Sequence, residues 1–217
     1  MITFVLGGLA IIPTTALADG KARPRTDDVA ASCHRALDER GVAWRPASRP
    51  GIVLGVEITG PLGGVTFVAP ATEPLVIDCS LAVSLAEAGR YFLAVGVTEA
   101  RWSSAYSVRN VRGSGKRSKH SFGLAIDVPR LVGVELGVLA IALDFEPGLG
   151  DGADCVGQPM TQGGAVLKVL QCQLVRSGLF YLVLSPDYDD AHHDHFHLEA
   201  RPWSARPALT EERPTIH

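Results

Sequence analysis

Five of the seven histidines fall in two short segments, and the residues around them restrict how the chain can fold. Four lie within His192–His197, and the fifth, His120, stands in the run Ser118-Lys119-His120-Ser121-Phe122-Gly123-Leu124-Ala125-Ile126-Asp127. Asp127 is flanked by Ile126 and Val128 in an apolar, strand-like stretch. A carboxylate among apolar residues is costly to bury unless its charge is compensated, and a divalent cation would compensate it. Gly123 lets the backbone turn sharply, so that His120 and Asp127 can converge. A strand over His195–Ala200 would point His195 and His197 to one face and Phe196 into the opposite layer.

Two imidazoles and a carboxylate leave one tetrahedral position for water, the donor set of a catalytic zinc site. The expected ligands are His120, Asp127 and His197, and the expected cofactor is Zn2+, since imidazole suits zinc better than calcium or magnesium. Zinc would polarise a carbonyl and bring a bound water's pKa to roughly 7. A base must then take the water's proton. His195 is the first candidate and Asp194 the second.

The remaining sequence reads as alternating short elements. Helices are expected from Thr26 or Asp27, as cap, to Arg40, from Cys79 to Val95, and from Gln162 to Arg176. Their apolar faces would be Val29, Cys33 and Leu37; Leu81, Leu85, Ala88 and Phe92; and Val166, Val169, Leu170 and Leu174. Strands are expected at Ile52–Ile58, Val65–Val68, Val97–Trp102, Ala105–Val111, Leu124–Val128, Val134–Phe145 (broken at Gly137), Phe180–Leu184 and His195–Ala200, with loops at Trp44–Pro50, Gly113–Lys119 and Pro147–Gly157. The expected class is α+β, a mainly antiparallel sheet with flanking helices.

A chain of 217 residues, 47% hydrophobic and 20% charged, is enough for one domain with a real core. Its net charge of −3 argues against binding nucleic acid through bulk positive charge. Ile2 to Ile12 is an apolar run ended by Pro13, and Ala16-Leu17-Ala18 is an A-x-A-type cleavage site, although no Lys or Arg precedes the run. Residues 1–18 are therefore expected to be a signal peptide, 19–26 a linker, 27–205 the domain and 206–217 a loose tail. Export to the periplasm or outside the cell follows, with an uncleaved N-terminal anchor as the alternative and no membrane span in the mature chain. Four cysteines and no CxxC pair suit two disulfides in an oxidising compartment. Of three possible pairings, Cys33–Cys79 and Cys155–Cys172 each join neighbouring elements.

The Ser118–Asp127 motif, followed by His195-x-His197, resembles the zinc superfamily of lysostaphin-type peptidases, D-Ala-D-Ala carboxypeptidases and hedgehog domains. Within it, Cys79, Ser104-Ala105-Tyr106 through Arg109, Leu184 to Tyr188, and His192 to Leu198 are similar to the bacterial extensin-like C-terminal domain family, from about Cys33 to Pro202. The resemblance implies a hedgehog- or D-Ala-D-Ala-peptidase-like fold and a zinc-dependent hydrolase of peptide bonds in cell-wall peptidoglycan, with peptide stems as substrate. It implies zinc on His120, Asp127 and His197, catalytic assistance from His195, a further active-site histidine at His192, and substrate contacts from Arg109, which could hold a carboxylate bidentately, and Ser118. The alternative is a zinc-bearing wall-binding or scaffold protein without hydrolytic activity. The sequence departs from the extensin-like pattern at Val108, usually Cys, at Lys119, usually acidic, and in a long Pro147–Gln162 segment. Asp194 stands where the carboxypeptidase branch has Glu. Arg109, Arg112, Lys116, Arg117 and Lys119 make the approach to His120 basic, either for a carboxylate-rich stem or as a solvated loop. Asp187, Asp189 and Asp190 either orient imidazoles or build a turn.

Overall fold

The computed structural model describes residues 25–69, 71–152 and 155–206. The expected signal segment and nearly all of the expected tail lie outside these residues. Among the described residues no helix is long and apolar enough to cross a membrane.

The fold is α+β. Helix α1 (Thr26–Glu39) packs against α2 (Cys79–Ala94), and Cys33–Cys79 ties the two together. Three short strands, β1 (Trp44–Pro46), β2 (Gly55–Ile58) and β4 (Leu75–Asp78), form one antiparallel sheet in the order β1-β2-β4. A second sheet runs β3-β5-β7-β8, where β3 is Thr66–Val68, β5 Glu99–Arg101, β7 Arg130–Gly133 and β8 Gly137–Ala140. Its β3–β5 pair is parallel and its other pairs are antiparallel. The third sheet, β6-β10-β9, contains β6 (Ala125–Val128), β10 (Phe196–Glu199) and β9 (Leu182–Leu184), all antiparallel. A short helix α3 (Ile141–Asp144) follows β8, and α4 (Gln162–Arg176) contacts α2, α3 and β9. Cys155–Cys172 pins the loop before α4 to that helix.

Several expectations change. The described residues form three small sheets where one was expected. Trp44–Pro46 is a strand, and β4 and β7 were not foreseen. Ala105–Val111 is not a strand: its backbone bonds go to the neighbouring turn, including Ser107 N–H to the His120 carbonyl and Val111 N–H to the Lys116 carbonyl. Val134–Phe145 divides into β8 and α3. Helix α1 takes no side-chain cap, because its cap position falls on Arg25 rather than on Thr26 or Asp27. On α4, Val169 is exposed, and the buried face is formed by Leu167, Leu170 and Leu174.

Asp78 shows how local chemistry joins these parts. It caps α2, accepting from the Ser80 N–H and hydroxyl, and it accepts the Leu54 N–H at 3.1 Å. The same residue's N–H donates to the Gly123 carbonyl at 2.9 Å, which fixes the turn that precedes β6.

Candidate metal centre

The first half of the site is a tight turn running into β6. Lys119–Phe122 forms one 3-10 turn, capped by Ser118, whose Oγ accepts from the His120 N–H. Gly123 ends it with φ +62°, and a Cβ there would lie 2.8 Å from the Asp78 nitrogen, so glycine is required. The chain then enters β6 with Asp127 two residues from its start. Ser121 Oγ accepts from the Arg109 N–H at 2.9 Å, and the Ser118 N–H donates to the Arg109 carbonyl at 3.0 Å, so the segment carrying Arg109 is fastened to this turn.

The second half comes from β10, the middle strand of its sheet. His197 is directly opposite Asp127 on one side and Leu184 on the other. Directly opposed residues of an antiparallel pair put their side chains on one face within contact range. Phe196 points the other way, fully buried edge-on against Phe145. The strand begins at Phe196, not His195, yet His195 still faces Asp127.

Asp127 Oδ1 is the point of convergence. His197 Nδ1 lies 2.7 Å away, His120 Nε2 3.2 Å and His195 Nε2 3.3 Å. His120 Nε2 and His197 Nδ1 are themselves 3.4 Å apart. His120, Asp127 and His197 are all buried. Arg109 is half-exposed, with Nη2 3.8 Å from Asp127 Oδ2.

Each imidazole also has its outward nitrogen held, as metal-bound histidines characteristically do. Ser104 Oγ lies 3.3 Å from His120 Nδ1, and Glu199 Oε1 lies 3.1 Å from His197 Nε2. Asp194 Oδ1 lies 2.7 Å from His195 Nδ1, and Asp189 Oδ1 2.6 Å from His192 Nδ1. Glu199 and Ser104 were not singled out from the sequence for these contacts. Strand alternation could have revealed Glu199, which shares its face with His197.

Electrostatics follow this geometry. Burial pushes the Asp127 carboxyl upward, but hydrogen bonds from His120, His195 and His197 outweigh it and hold the group far below the usual carboxylate range. Burial lowers His120, and the pull of Asp127 does not fully offset it. Burial also opposes charge on His197, but Asp127 and Glu199 together raise it to about 9. His195 is raised as well: Asp127 and Asp194 overcome its burial. Without a cation, His197 holds a proton at neutral pH, and a metal taking its inward nitrogen would have to displace it.

The donor set fits zinc. Three imidazole nitrogens crowd one carboxylate oxygen, and two of those nitrogens, on buried rings, meet each other. A tetrahedral zinc with arms of about 2.0–2.2 Å has edges of about 3.3–3.5 Å. The separations of 3.2 and 3.4 Å that His120 Nε2 makes with Asp127 and His197 are close to this, while the 2.7 Å Asp127–His197 contact would open slightly.

A model of the family described as extensin-like protein C-terminus matches residues 163–206. The match supports the extensin-like likeness over α4, β9, the His192–His197 run and β10, and it does not extend to His120 or Asp127. No curated protein and no solved structure matches the chain.

The structure separates the residues that the sequence left together. His192, His195 and His197 form a second cluster whose ligand atoms lie within 4.8 Å of one another. Ser118, expected at the substrate, is buried and serves as the cap of the turn. Lys119 lines a separate cleft with Phe122 and Trp203, away from the converging imidazoles, while Arg112, Lys116 and Arg117 are exposed on the neighbouring loop. Asp189 orients His192 and also accepts the Ala191 N–H, whereas Asp187 accepts the N–H groups of Gly148 and Gly150 and so fastens the loop before α4.

Proposed function

We propose that the chain is a zinc-dependent hydrolase of peptide bonds in bacterial peptidoglycan, of the fold and mechanism of the D-Ala-D-Ala-peptidase and hedgehog superfamily. The observation that carries this reading is the convergence of His120 Nε2, Asp127 Oδ1 and His197 Nδ1, two of whose three separations, 3.2 and 3.4 Å, are near-tetrahedral and the third 2.7 Å, with His195 Nε2 3.3 Å from the same oxygen. The peptidoglycan substrate rests on the family likeness, and the exported location on the N-terminal sequence and the two disulfides.

His120, Asp127 and His197 would hold the ion, which when bound supplies a Lewis acid for the amide carbonyl and an acidified water to attack it. Ser104 and Glu199 keep the two ligand rings in the tautomers that present a lone pair inward. His195 stands beside the centre with its Nδ1–H on Asp194, so its Nε2 is the atom that takes a proton from the attacking water and returns it to the leaving amine. The half-exposed Arg109 guanidinium lies at the rim, where a stem-peptide carboxylate would be fixed by two parallel hydrogen bonds.

The test is amine release from purified peptidoglycan by the purified chain, with chelator and after zinc is restored. Release that stops on chelation and returns with zinc supports the reading. Zinc-loaded protein that frees no amines from any wall preparation contradicts it.

A further inference from the structure

Four imidazoles at this centre are prepared in the same way, but the inner triad uses only two of them. His192 and His195 each donate Nδ1–H to a carboxylate, of Asp189 and Asp194. That fixes their tautomer; His195 Nε2 lies 3.3 Å from Asp127 Oδ1, and an inner ion that takes this oxygen frees it as a donor. A general base needs one such ring, and the proton transfers given to His195 leave the second, at the expected active-site position His192, without a step. The rings are neighbours, with centroids 5.3 Å apart, and His192 lies 5.4 Å from the His197 ring. His192, His195 and His197 also offer ligand atoms within 4.8 Å of one another. His197 belongs to both clusters, but its Nδ1 faces Asp127 and its Nε2 is held by Glu199, so an ion in the inner triad takes its only inward lone pair.

We propose that His192 and His195 form a second, outer seat for a divalent transition-metal cation, beside the inner one and weaker than it. The proposal rests on the reading of the inner triad as the zinc site. Two imidazoles and water hold the outer ion, and the carboxylates of Asp189 and Asp194 behind them favour positive charge there. Both rings are largely shielded, with side chains 19% and 14% exposed, but they sit on the turn ahead of β10, and their ligand atoms, within 4.8 Å of one another, need to close by no more than about 1.4 Å to reach the edge of a zinc tetrahedron. Occupation of this seat ties up His195 Nε2, so excess metal removes the base and inhibits hydrolysis.

The experiment is calorimetric titration of zinc alone into the metal-stripped chain. Two steps are expected, the second about 100-fold weaker for having one protein ligand fewer. His192→Ala abolishes the second step and changes the first less than about threefold, and His195→Gln does the same. A tight step with no second step, or a second step that survives both substitutions, overturns the outer seat and leaves the inner one standing. A titration with no tight step overturns the inner site and the outer seat with it.

Discussion

The two faces of the histidine cluster are built differently. The inner face (His120, Asp127 and His197) is buried and fixed by backbone: Asp127 is paired across β6–β10 with His197 and bridged to Ser104 on its other side. The outer face (Asp189, His192, Asp194 and His195) lies on a succession of turns, with the His192 N–H on the Asp189 carbonyl and the His195 N–H on the His192 carbonyl. Its carboxylates are about half exposed. A site that must grip a cation needs fixed donors in a dry setting, whereas a proton carrier must reach water and substrate. On the proposed reading, grip belongs to the sheet and proton transfer to the turn.

Removal of Asp127 should break that division most completely. Asp127→Ala takes away a ligand and the counter-charge of the buried His197. Zinc affinity should fall by more than about 100-fold, hydrolysis should vanish with it, and the metal-free chain should lose about 3 kcal/mol of unfolding stability. Chelator competition and denaturant unfolding measure these effects. On the outer face, His195→Ala should separate grip from chemistry: tight zinc affinity stays within a few-fold, while kcat falls by about 10²–10⁴. Equal losses of zinc and activity in this variant would merge the two faces.

A finer test lies one contact behind the ligands. Glu199→Ala leaves the His197 Nε2–H without its acceptor, and zinc affinity should fall by about 10–100-fold. Glu199→Gln, whose amide oxygen still accepts that hydrogen, should recover part of the loss.

The smallest effect concerns pH in the metal-free chain. His197 is raised from its ordinary 6.5 to about 9 by Asp127 and Glu199 against its burial. Its stabilising charge is fully present below pH 6.5 and is lost as pH rises through about 9. The Tm of chelator-treated protein should therefore fall between about pH 7 and 10 through this group. Apparent zinc affinity should rise over the same interval, because the proton competing for His197 leaves. A zinc affinity that is flat with pH there would remove His197 from the ligand set.

Much of this was legible in the sequence where pattern and chemistry agreed. Helix α4 has the expected limits, the two disulfides have the favoured pairing, and Phe196 lies on the core side of its strand. Short strands without alternation were not legible. The Leu75–Asp78 strand is four consecutive buried residues, a pattern that gives no period to read. Ala105–Val111 misled in the opposite direction, because its β-like composition serves a loop bonded to the turn at Ser118–Ser121. At the site, the converging residues His120, Asp127, His195 and His197 were recognisable by type, while Ser104 and Glu199 behind them were not. Ser104 and Ser118 have the same side chain, but one faces the His120 ring and the other caps its backbone. Only three-dimensional pairing distinguishes those positions.

The central claim is that zinc on the inner face drives cleavage of wall peptide bonds. The most direct measurement is mass spectrometry of purified peptidoglycan digested by the chain carrying one zinc, beside the same chain stripped of metal. The account predicts new fragments ending at a hydrolysed peptide bond with the zinc-loaded chain and none with the stripped one. Identical fragment patterns from the two would contradict it.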